Sequence, residues 1–96
     1  MRVILPTSLD GTELEALRPV IIGAVQETTD RVVVLDAAAV ELISTAGLGL
    51  LVAAAMIGAD RGVRLEVARP SSLFRRSVAL TGLGRHLGLT PEPALV

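Results

Sequence analysis

From Leu42 to Ala59 the chain runs without a charged residue, bounded by Glu41 and Asp60. A stretch that long reaches about the minimum for a membrane span, so the fold must either thread it through a bilayer or bury it. It holds Ser44, Thr45, Gly47, Gly49 and Gly58, and it lacks the basic and aromatic flanks that anchor spans. It therefore reads as a buried strand end running into a buried helix. From Ala46 to Asp60 the residues are apolar almost all round, and Asp60-Arg61-Gly62 is a polar exit with glycine just past the helix end.

The segments on either side alternate between extended and helical patterns. Arg2 to Leu5 is a short β-prone run that stops at Pro6. A first helix starts near Asp10, where either Asp10 with Glu13 or Thr12 with Glu15 has capping-box spacing, and Leu14, Leu17, Ile21 and Val25 recur at helical intervals. Pro19 inside that pattern removes a backbone hydrogen bond, so it predicts a kink or a helix that begins near Pro19. Arg31 to Leu35, with three consecutive valines, reads as a central strand covered on both faces. Val40 to Ile43 returns to an extended apolar run, and Val63 to Val67 alternates, giving a strand with one wetter face. Pro70-Ser71-Ser72 opens a third helix that Gly82 closes, and the tail past Leu89 is expected to be loose. Strands alternating with helices imply a single α/β domain over residues 1–96, with a right-handed crossover between parallel strands. In such sheets ligands and partners meet the carboxyl ends of the strands, where Asp36 and Ser44-Thr45 fall.

Composition removes whole classes of function. Lys+Arg 9 against Asp+Glu 10 gives a net charge of -1, without the clustered cations that phosphate backbones require, so no nucleic acid is expected as a partner. The absence of cysteine excludes thiol nucleophiles, zinc-thiolate sites and disulfides, and no metal or other cofactor is expected. Phe74 is the lone aromatic residue, so no stacking platform exists. With no lysine, a Schiff base or P-loop is impossible. His86, the one histidine, reads as a surface residue beside Arg85. A hydrolase built from Ser44 or Thr45, His86 and Asp36 lacks an elbow motif, and Gly47-Leu48-Gly49 lacks the third glycine of a dinucleotide fingerprint, its place being held by Val52. No enzyme activity is expected. No signal peptide is visible at the amino terminus, which makes a cytoplasmic location the default.

A hydroxyl in the first turn of a helix sits where free N–H groups and the positive dipole end favour negative charge. Ser44 or Thr45 can cap the long helix, and a phosphate on Thr45 would be tolerated there, acting on whatever docks against it instead of on the fold. The two roles can coexist. The helix has one apolar face at Leu48, Leu51, Val52, Ala55 and Ala59 and another at Leu50, Ala53, Ala54 and Ile57; a neighbouring helix covers the second, or it remains a patch for a partner. Asp10 and Asp36 either surround Thr45 or merely cap a helix and end a strand.

The runs Val33-Val34-Leu35-Asp36, Leu42-Ile43-Ser44-Thr45-Ala46-Gly47-Leu48-Gly49-Leu50-Leu51, Arg61-Gly62, Pro70-Ser71 and Leu80-Thr81-Gly82-Leu83 together resemble the STAS domain of bacterial anti-sigma factor antagonists. The resemblance covers roughly residues 8 to 87. It implies a STAS-like α/β fold, a mixed central sheet of about four strands with three to four helices. In that family an Asp-Ser-Ser-Gly-Leu segment lies between strand and helix, and a partner anti-sigma factor, itself a kinase, phosphorylates its first serine. Thr45 falls on that serine, Ser44 on the aspartate, Ala46 on the second serine and Gly47 on the glycine; Ser8-Leu9-Asp10 is similar to the family's Glu-Leu-Asp. The resemblance implies phosphorylation at Thr45 and partner docking through Asp10, Asp36, Ser44, Thr45, Ala46, Gly47, Leu48, Gly49, Leu50, Ala53 and Ile57. The family's usual first strand has no counterpart in the few residues before Ser8, which leaves the sheet edge either exposed or paired with another subunit, as in a homodimer. The same residues also resemble small STAS subunits of bacterial phospholipid-transport ABC systems, whose partner is an ATPase subunit, and STAS proteins found beside chemotaxis genes.

Overall fold

A computed structural model describes residues 1–82 of the chain. His86 and the tail past Leu89 lie outside the described residues. The elements run β1 (Arg2–Ile4), β2 (Ser8–Leu9), α1 (Gly11–Glu27), β3 (Val32–Asp36), β4 (Leu42–Ile43), α2 (Thr45–Asp60), β5 (Arg64–Ala68) and α3 (Ser72–Thr81). They form two ladders, β1-β3-β5 and β2-β4, and every described pairing is parallel. The expected mixed sheet is thus all parallel among the described residues, because each return to a ladder passes through a helix.

The β3 register sets Val33 opposite Leu65 and Leu35 opposite Val67, while Val3 lies opposite Leu35 across β1. These residues form the inner face of the sheet; Val33 and Leu35 are fully enclosed. Arg2, Ile4, Arg64 and Glu66 lie on the outer face, wholly or partly exposed. The valine run was expected to be covered on both faces; Val32 and Val34 are instead half-buried, since α1 and α2 pack on the inner side.

Leu14, Leu17, Ile21, Ala24 and Val25 are the buried stripe of α1. The helix starts at Gly11 and runs through the exposed Pro19, so it does not begin at the proline. Neither capping box forms. Asp10 occupies the cap position, but only its carbonyl takes part, accepting from the Leu14 N–H at 3.2 Å. Gly11 at φ 59 makes the left-handed turn that swings the chain from β2 into α1.

Val40 is buried but lies outside β4, because its N–H turns back to the Ala37 carbonyl at 3.3 Å. Its own carbonyl accepts from Ser71 Oγ at 2.7 Å, and Ser71 Oγ in turn accepts from the Phe74 N–H at 3.1 Å, capping α3. The third helix is thereby seated with Phe74 and Val78 inward.

Candidate functional site

The two-residue ladder β2-β4 launches two helices side by side. Its register sets Leu9 opposite Ile43, so Asp10 and Ser44, the residues preceding α1 and α2, leave the ladder at the same level. Ser44 locks the junction. Its N–H and its Oγ both donate to the Leu9 carbonyl, at 3.3 and 3.2 Å, while Oγ accepts from the Gly47 N–H at 3.1 Å. Ser44, not Thr45, is therefore the helix cap, an arrangement worth about 1 kcal/mol.

Thr45 is thereby released from structural duty. It is the first residue of α2, it is exposed, and its hydroxyl makes no hydrogen bond among the described residues. Of the early helix donors, Gly47 N–H is satisfied by Ser44 Oγ and Leu48 N–H by the Ser44 carbonyl at 3.0 Å. The N–H groups of Thr45 and Ala46 are the ones left for water or an anion. No acidic side chain lies in the first turn of α2 to offset the positive end of the helix.

The rest of α2 divides into two long faces. Gly47, Leu48, Leu50, Leu51, Ala54 and Gly58 are buried, against α1 on one side and β5 on the other. This corrects the reading of Gly47, Leu48 and Leu50 as partner contacts: Gly47 is buried against Leu9 and Ile43, and the two leucines are 5 % and 2 % exposed and belong to the core. Of the two apolar faces distinguished in the sequence, Leu48 and Leu51 of the first and Leu50 and Ala54 of the second share one buried arc, with Val52, Ala55 and Ile57 half-buried, while Ala53 and Ala59 are exposed. On the opposite side Thr45, Ala46, Gly49 and Ala53 are exposed, as expected, and the stripe continues to Met56 at 60 %. Met56 escaped the sequence reading, although the spacing from Ala46 through Gly49 and Ala53 leads directly to it. Leu42, 52 % exposed on β4, was also passed over. Its strand is too short for alternation to reveal a face.

Asp36 does not join Thr45. Its Oδ2 accepts from Arg69 Nη2 at 2.6 Å, Arg69 Nε at 3.2 Å and Arg2 Nη2 at 2.9 Å, and its Oδ1 accepts from the Ala38 N–H at 3.1 Å. The carboxylate is 4 % exposed and ties the ends of all three strands of the larger ladder. The Arg69 guanidinium foremost, then the Ala38 N–H and Arg2, hold its carboxyl well below the ordinary carboxylate range. Arg69 itself sits at φ 50, a left-handed conformation that costs a non-glycine residue about 1–2 kcal/mol. A group with a depressed folded pKa contributes stability above its unfolded pKa and loses it as pH falls through the folded one. The stability difference between wild type and Asp36→Asn is accordingly expected to stay level from about pH 5 to 8 and to shrink below about pH 4. Urea unfolding across that range measures it; a difference unchanged at low pH would show that Asp36 is not held ionised.

Among the described residues there is no group of three or more His, Asp or Glu side chains that could hold a metal ion. No described helix is long and apolar enough to cross a membrane.

A small parallel sheet with helices on its inner face, and an exposed hydroxyl residue opening a helix that carries no charge before its last residue, Asp60, are consistent with a STAS-type domain. The chain matches the family model described as "Mlab, STAS domain" over residues 1–91, and it belongs to the STAS family. No curated protein matches it. STAS domains are protein-interaction modules.

Proposed function

We propose that this protein is a bacterial regulatory docking module without enzyme activity, similar to anti-sigma factor antagonists. It binds its partner through the exposed side of α2, Thr45, Ala46, Gly49 and Ala53, extended by Met56, with Asp10 at the neighbouring helix start. The observation that supports this most is the division of labour at the α2 start: Ser44 does the capping and Thr45 stands exposed beside an uncharged stripe of small residues. Small side chains let a partner backbone approach closely, and the stripe needs no charge to be removed from water on docking.

Phosphorylation of Thr45 by a partner anti-sigma kinase is the proposed switch. A phosphate there carries roughly -1.5 to -2 charge, is stabilised by the free N–H groups of the first turn, and places that charge within the docking surface, at the helix-start end of the stripe. Binding is then lost without loss of the fold. Incubation with the partner kinase and ATP should put one phosphate on the chain, located at Thr45 by mass spectrometry and absent from Thr45→Val. Label appearing elsewhere, or none at all, would remove the switch from this proposal.

A second reading is favoured by the family description, which carries the name Mlab, and by the resemblance to STAS subunits of phospholipid-transport ABC systems. In it the same surface grips an ATPase subunit permanently and Thr45 makes a fixed contact. Stable co-purification with such a subunit, Thr45 unmodified throughout, selects it.

A further inference from the structure

The larger ladder ends at β1, whose outer edge has no partner among the described residues. The Val34 N–H donates to the Met1 carbonyl at 2.8 Å and the Leu5 N–H to the Asp36 carbonyl at 2.9 Å, so the odd-numbered residues of this segment face β3. Arg2 and Ile4 therefore turn their N–H and C=O groups outward. We propose that this edge pairs with itself: two copies of the chain join β1 to β1, antiparallel, about a two-fold axis at Val3.

The pairing is self-complementary. It sets Arg2 opposite Ile4 of the partner subunit and Ile4 opposite the partner's Arg2, and both are outward-facing residues, so four main-chain hydrogen bonds form and no donor is wasted. Pro6, which has no N–H to offer, ends the segment just beyond the paired region. The rim is open to a second copy in spite of its shortness: Ile4 presents an apolar side chain 73 % exposed, and the charge beside it, Arg2, is engaged by Asp36 at 2.9 Å.

Side chains agree with the axis. Two adjoining clefts of about 390 and 410 Å³ run between β1 and α1, and Val3 and Val20 line both, so they mark the middle of the groove. Glu27 belongs to one end and Glu13 to the other. A two-fold axis at Val3 brings two copies of this apolar middle together and leaves the acids toward the rim, the anatomy of a small protein interface. On the outer face Ile4 lies in register with Asp36, and the partner's Arg2 takes the next place in that row. Each Arg2 then stands between two Asp36 carboxylates, its own and the partner's, and like charges are not stacked. This surface is separate from the Thr45 stripe, so self-pairing and the proposed docking are independent.

The paired segment is short, which predicts weak, reversible association, not an obligate dimer. Sedimentation velocity on the full chain from about 10 μM to 1 mM is expected to show the mass rising from one chain toward two, in the range of weak complexes. Ile4→Pro removes only an outward donor, leaves the β1-β3 bonds alone, and should stay at one chain throughout. Val20→Glu, on the exposed side of α1, should do the same without touching the sheet, which decides the matter if the proline variant folds poorly. Ala53→Glu, on the α2 stripe, should dimerise like wild type. A wild type that remains one chain at every concentration, Val20→Glu that dimerises unchanged, or Ala53→Glu that dissociates would overturn the proposal.

Discussion

Gly47→Ala is expected to lower the melting temperature by roughly 10–20 °C, although alanine is the better helix former. A Cβ at Gly47 would collide with the Leu9 carbonyl oxygen, and it would meet the Leu9 and Ile43 side chains at 3.1 and 3.2 Å. The Leu9 carbonyl cannot yield, because it accepts both bonds from Ser44 that hold the ladder to the start of α2. Overpacking of this kind costs about 1–3 kcal/mol and more when backbone must move, against a helix-propensity gain of about 1 kcal/mol. A net loss of about 2–3 kcal/mol corresponds to that shift for a domain of this size. Gly49→Ala, two residues on, meets nothing within 4 Å and should raise the melting temperature by about 5 °C. Parallel thermal melts that showed equal effects at both positions would mean that α2 does not start pressed against β2.

Phe74→Ala should be the most damaging single truncation. The ring is fully enclosed, and it is the one aromatic side chain in a core otherwise made of Leu, Ile, Val and Ala. Removing it costs the transfer energy of the ring plus the cavity left behind, about 3–5 kcal/mol, out of a total stability of about 5–15 kcal/mol for an ordinary domain. Phe74 also anchors α3 at the Ser71 cap bonded to the Val40 carbonyl. Urea unfolding should therefore show a large fall in the midpoint with little change in slope. Phe74→Leu, which conserves most of the volume, should cost under about 1.5 kcal/mol. A cost below about 1 kcal/mol for alanine would contradict the packing of α3 described above.

Much of the architecture was legible in the residues because strong periodic signals agree with it. Leu14, Leu17, Ile21 and Val25 predict the buried face of α1, and Asp60-Arg61-Gly62 and Gly82 mark the helix ends where the structure has them. What the sequence left open was settled by tertiary contacts that no local pattern carries. Ser44 and Thr45 are equally plausible caps until the Leu9 carbonyl claims the serine. Asp36 could have faced Thr45 until Arg2 and Arg69 claimed it, one from another strand and one from a left-handed residue that no propensity foretells. Leu48 and Leu50 look as available as Ala53 in a helix that is apolar all round; only the closeness of α1 and β5 separates them. Two-residue strands are too short for alternation to show their faces, which is why the extended run at Val40 to Ile43 was legible but the exposure of Leu42 within it was not.

Under the proposed function the Thr45 hydroxyl serves a partner and not the fold. Thermal melts are paired with calorimetric titration of the proposed partner, an anti-sigma kinase, on wild type and Thr45→Glu. The predicted result is a melting temperature unchanged within a few degrees, or slightly raised by the charge at the helix start, together with binding weakened by at least about tenfold, or 1.4 kcal/mol. Binding as tight as wild type, or a variant that unfolds, would contradict it.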